Sequence, residues 1–102
     1  MNTGEYGIQF VFGASFDMSA NTGLSITFTK PDLSLLTVSN PAVTIANTTI
    51  STTEGNFTAN TYGLYTFANG DVNQVGPWSA RLTYLSTGVK LISDIGTFTV
   101  NP

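Results

Sequence analysis

The chain has 102 residues, a formal net charge of −3, and neither cysteine nor histidine. That length suits one modest hydrophobic core, and residues 1–102 read as a single domain. Its three basic residues, Lys30, Arg81 and Lys90, cannot form the clustered cationic surface that a phosphate backbone requires, so no nucleic acid is expected as a partner.

Charged residues make up 9% of the chain against the roughly 25% usual for a soluble domain, so solubility must come from Ser, Thr and Asn. A subunit packed into an assembly tolerates such a surface, as do many β-domains. Without cysteine there is no disulfide, and redox compartment is left open. Residues Met1–Glu5 lack a basic n-region and an apolar h-region, which argues for synthesis in the cytoplasm without a signal peptide. No apolar run approaches the ~20 residues of a membrane span, so no membrane partner is expected.

In chain order, Tyr6, Ile8, Phe10 and Phe12 alternate with Gly7, Gln9 and Val11, predicting a first strand with an aromatic inner face that ends at Gly13-Ala14-Ser15. Asn21-Thr22-Gly23 is turn chemistry. Leu24, Ile26 and Phe28 alternate with Ser25, Thr27 and Thr29 in a second strand, stopped by Lys30-Pro31-Asp32. Leu35–Val38 is a short third strand before Asn40-Pro41. Val43 with Ile45, and then Thr48–Thr52, read as two edge strands whose Thr-rich face carries no charge to block pairing. Glu54-Gly55-Asn56 is the next predicted turn, and Tyr62–Phe67 a strand with aromatics on both faces.

Asn69–Gly76 reads as a polar connection with room for one helical turn. The cleanest alternation follows: Trp78, Ala80, Leu82 and Tyr84 on one face, Ser79, Arg81 and Thr83 on the other. This predicts a central strand with Trp78 as the main core plug. Ser86-Thr87-Gly88 makes a hairpin into Val89–Ile92, and Phe98 and Val100 close the sheet. Strands recurring about every 8–12 residues with turn signals between them predict an all-β fold, an antiparallel sandwich or barrel. The expected core anchors are Phe10, Ile26, Phe28, Trp78, Leu82 and Phe98.

Few residues suggest chemistry. Absence of His and Cys removes the usual nucleophile–base pairs and most transition-metal sites. The six acids are scattered over different turns, whereas a glycosidase pair needs two carboxyls about 5–10 Å apart. We therefore expect no enzyme and no cofactor. Asp71-Val72-Asn73 begins like a calcium loop but lacks its glycine and distal glutamate, and reads better as an Asx-type turn. Asn47-Thr48-Thr49 and Asn56-Phe57-Thr58 match the glycan-acceptor pattern, which chance explains in so Thr-rich a chain. Tyr62, Tyr65, Phe67, Trp78 and Tyr84 would make a sugar platform only if exposed, and the phase of Trp78 argues for the core. Tyr65 and Phe67 lie opposite Tyr62 and Leu64, so one pair is expected to face outward as a partner surface.

Placed in order, Asp71…Gly76-Pro77-Trp78-Ser79-Ala80 resembles the approach to strand F of immunoglobulin-like domains, with Trp78 replacing the corner tyrosine and Ala80 at the second disulfide cysteine's place. Gly7–Phe10, Leu24–Asp32, Gly76–Tyr84 and Gly96–Val100 together resemble short immunoglobulin-like modules of tailed-bacteriophage virions, similar in style to the N-terminal domain of siphophage baseplate upper proteins; Leu33 stands where their turn has glycine. The resemblance implies an immunoglobulin-like antiparallel β-sandwich of about 7–9 short strands. It further implies a non-enzymatic virion structural protein that docks onto other virion proteins in capsid decoration, tail or baseplate. Such a protein is a homo-oligomer or present in many symmetric copies. Expected contact residues are Tyr6 in the N-terminal arm, Val43, Ile45 and Ile50 on the Thr-rich edge, and Tyr65 and Phe67 on an outer face. The alternative is a carbohydrate-binding or adhesion module on a bacterial or phage surface, which needs an exposed aromatic row.

Overall fold

A computed structural model describes residues 1–14, 16–52 and 55–102. Ten strands account for its regular structure: β1 (Gln9–Gly13), β2 (Gly23–Thr29), β3 (Leu35–Ser39), β4 (Thr44–Ile45), β5 (Ile50–Thr52), β6 (Gly55–Phe57), β7 (Tyr62–Thr66), β8 (Gly76–Ser86), β9 (Val89–Ile92) and β10 (Gly96–Val100). There is no helix among the described residues, and all strand pairs are antiparallel.

One sheet has the order β1-β7-β4, and a second the order β10-β8-β2-β3 with β9 beside β8. The β5–β6 hairpin forms a separate small sheet. The two larger sheets face each other across a shared core, which takes Phe12, Val43, Tyr65 and Phe67 from the first side and Leu24, Ile26, Phe28, Trp78 and Leu82 from the second. Alternation decides this. β2 and the body of β8 bury every second residue, so each lays one apolar row on the core; the outward row is Ser/Thr in β2 and Ser79, Arg81, Thr83 and Leu85 in β8. Of the expected anchors, Ile26, Phe28, Trp78 and Leu82 are fully buried, while Phe10 and Phe98 are half-buried at the rim.

β8 is long enough to serve two partners. Its first half pairs with β10 (Trp78 opposite Phe98) and its second with β9 (Thr83 opposite Ile92). Between these ladders Ser93, Asp94 and Ile95 stand against only Arg81 and Leu82, a one-residue bulge. Ser93 closes it: its N–H donates to Leu82 O at 2.9 Å, and its Oγ accepts from Leu82 N at 3.0 Å. At the chain ends Asn2 forms a parallel bridge with Asn101 on the β10 side.

Several expectations change. The first strand is shorter than its alternation predicts: Gly4 and Gly7 take positive φ, and Tyr6 and Ile8 are exposed ahead of β1. Gly55 and Asn56 belong to β6 rather than to a turn. Glu54 and Ser15, both assigned to turns from sequence, lie outside the described residues. Residues 69–71 form a turn, and the chain then runs irregularly to β8 without a helical turn.

Candidate interaction surfaces

The corner where β8 begins shows how the sequence locks its loops. Trp78 Nε1–H donates to Gln74 O, four residues upstream, at 3.0 Å, so the indole ties the start of β8 back to the loop before it. Lys30 lies over the Trp78 ring at 5.3 Å and donates to Asn73 Oδ1 at 2.8 Å. Gly76 has φ +126°, and a Cβ there would meet Pro31 Cγ at 3.1 Å, so only glycine fits between the two turns. The Ser34 hydroxyl (2.6 Å) and N–H (2.9 Å) bond Asp32 and hold its carboxyl at about 2.

Asp71 is equally committed. Its Oδ2 accepts from the Tyr65 hydroxyl at 2.5 Å and from Ala68 N–H at 2.8 Å. The bond runs back to Ala68, three residues upstream, and not forward to residue 73 as the expected Asx-type turn would, and it orders the β7–β8 connection. No group of three or more His, Cys, Asp or Glu side chains gathers among the described residues. Burial, reinforced by the bond to Asp71 and that carboxylate's charge, pushes the Tyr65 phenol up to about 12. An acid held neutral by the fold stabilises it fully below the unfolded value near 10, and that contribution is lost as pH rises from about 10 to 12. Tyr65→Phe should therefore delete an ionisation near pH 12 from an ultraviolet titration. If that step persists in the variant, the assignment to Tyr65 is wrong.

The residues expected to face a partner divide sharply. Tyr6 is 61% exposed on the N-terminal arm. Val43 is completely buried, because the chain turns inward after Pro41 and sets Val43 against the side of Gly63 that faces Leu82. Ile45 pairs with Gly63 and packs half-buried against the core, and Ile50 is half-buried in the β5–β6 hairpin. Tyr65 and Phe67 are buried core residues and offer no surface. Their row also contains Gly63, which lets Leu82 approach to 3.0 Å of a would-be Cβ, so this is the face that β8 packs on. The opposite row holds Tyr62, Leu64 and exposed Thr66, and that threonine was the available signal. Tyr62 is nonetheless buried, because Phe57 packs on it at 5.6 Å between ring centroids and its hydroxyl donates to Thr48 O.

Exposed apolar groups gather elsewhere. Leu85, Val89, Leu91, Ile92 and Ile95, 38–57% exposed, cluster on the β8–β9 hairpin and the bulge after it. Sequence reasoning missed them because Val89-Lys90-Leu91-Ile92 has no alternation; lack of alternation over a four-residue strand was itself the signal of an element with no buried face. Leu33 (78%) and Leu35 (66%) form a second patch at the β2–β3 turn. On the outer face of the larger sheet, Thr27, Thr29, Ser79, Thr83, Ile92 and Ile95 surround Arg81 in a depression of about 280 Å³. Arg81 is the one charged group lining it. Against known protein families, curated proteins and solved structures, the chain has no match.

Proposed function

We propose that this chain is an immunoglobulin-like, non-enzymatic structural subunit of a tailed-bacteriophage virion that docks onto other virion proteins through the β8–β9 hairpin. The observation that carries the docking role is the concentration of five exposed large apolar side chains between Leu85 and Ile95 in a domain of 102 residues. The β8–β9 register sets Leu85 and Ile92 on the outward face and Val89 and Leu91 on the face of Tyr84, so the hairpin is apolar on both sides, and exposed apolar surface marks a partner site.

The immunoglobulin-like reading has topological support. In it β1, β7 and β4 correspond to B, E and D, and β10, β8, β2 and β3 to G, F, C and C′. The Trp78–Gln74 bond falls at the start of F, where such domains place their aromatic corner. The carbohydrate-binding alternative required an exposed aromatic row, and a Trp78 only 1% exposed weighs against it.

Quantitative mass spectrometry of purified particles tests the reading. Many copies per particle are expected, and Ile92→Asp should fold normally yet fail to be incorporated, since it places a charge where the contact needs an apolar group. Particles free of the chain, or normal incorporation of the variant, would sink the docking assignment.

A further inference from the structure

The outer edge of β3 pairs with no strand among the described residues, and its chemistry suits one occupant: the same edge of a second copy of this chain. We infer that two copies join β3 to β3 in antiparallel fashion about a two-fold axis through Thr37, making one continuous sheet across the dimer. This builds on the multi-copy subunit proposed above, but concerns a different surface from the hairpin.

The hydrogen-bond pattern sets the register. Lys30 N donates to Ser34 O at 2.9 Å and Asn40 N to Leu24 O at 3.1 Å, so the pairs Lys30–Ser34 and Leu24–Asn40 are hydrogen-bonded ones. Because hydrogen-bonded and non-bonded pairs alternate in an antiparallel ladder, Leu36 and Val38 also bond to β2, while Leu35, Thr37 and Ser39 direct their backbone groups off the edge. The Ser39 carbonyl is already used by the N–H groups of Ala42 (2.9 Å) and Val43 (3.3 Å). A two-fold axis at Thr37 then pairs the two Thr37 residues by reciprocal N–H···O bonds, and pairs each Ser39 N–H with the Leu35 carbonyl of the other copy.

Packing and charge favour the same partner. Leu36 and Val38 face the core side yet stay half-buried, because the opposing sheet ends in the two-residue β4 and leaves β3 overhanging. In the two-fold register Leu36 of each copy stands beside Val38 of the other, covering both. From Leu33 to Thr52 the sequence has no charged residue, so neither repulsion nor a gatekeeping lysine opposes self-pairing in a chain otherwise negative. Leu33 adds a fourth mark: it holds φ +71° at a turn position suited to glycine, while 78% exposed. The register brings it to Pro41 of the other copy. A five-residue edge buries less than the ~1,200 Å² of a stable interface, so the dimer is weak and concentration-dependent.

Sedimentation velocity on the purified chain reads this directly, without any particle. Wild type should pass from 10.8 kDa toward twice that mass as concentration rises. Thr37→Pro deletes an outward N–H and the exposed Thr27–Thr37 hydroxyl contact but no bond of the β2–β3 ladder, and should remain monomeric while keeping the wild-type circular dichroism. Thr37→Lys and Thr37→Glu should each be monomeric, and an equimolar mixture of the two should associate again, because residue 37 faces its own copy only in the two-fold register. A wild type that stays monomeric to its solubility limit, association that survives Thr37→Pro, or a mixture that fails to associate would each overturn the inference.

Discussion

Trp78→Ala is expected to destabilise the domain by about 3–5 kcal/mol, a large share of the ~5–15 kcal/mol that holds a domain of this size. The side chain is 1% exposed and packs on Phe98 at 5.8 Å and Phe28 at 6.4 Å between ring centroids. Its removal leaves a cavity near the start of the longest strand, where the β10 ladder at Trp78 itself and the β2 ladder beginning at Ser79 hold the backbone from collapsing to fill it. It also strips Gln74 O of its N–H donor and leaves Lys30 without the ring beneath it. Trp78→Phe separates these effects: it keeps an aromatic plug and loses the corner bond, and should cost about 1–3 kcal/mol. Urea denaturation checks both. An alanine variant with an unchanged midpoint would mean that β8 is not the centre of the core.

Phe28→Ala should cost a similar ~3–5 kcal/mol for a different reason. Phe28 is fully buried and is the hub of the aromatic cluster, with Phe10 at 5.1 Å, Phe67 at 5.3 Å, Tyr65 at 6.1 Å, Phe98 at 6.3 Å and Trp78 at 6.4 Å. These rings come from both facing sheets, so truncating Phe28 loosens one sheet from the other. Phe98 touches the same cluster from the half-buried rim, and Phe98→Ala should cost about 1–3 kcal/mol because part of its surface is already in water. Equal losses at the two positions, measured by thermal or urea unfolding, would contradict a core centred on Phe28.

The larger sheet was legible in the sequence because β2 and β8 alternate strictly. One residue of slip would turn Ile26, Phe28, Trp78 and Leu82 into water, so pattern alone dictated which face is core. The turns were legible for a similar reason: Asp71 and Pro31 carry their own local geometry.

Tertiary structure decided what alternation leaves open. In β7 both rows carry aromatics, so the period could not say which row is inside. Gly63 against Leu82 settled that Tyr65 and Phe67 are core, and the distant Phe57 settled that Tyr62 is covered too. Val43 was an edge residue by composition and a core residue by the path of the chain after Pro41. The exposed groups were hidden for the converse reason. Leu33, Leu35 and the apolar side chains of β9 look like core by residue type, and only the outline of the sheets leaves them uncovered. Local patterns report which side of a strand is apolar; whether anything lies on that side depends on contacts between residues far apart in sequence.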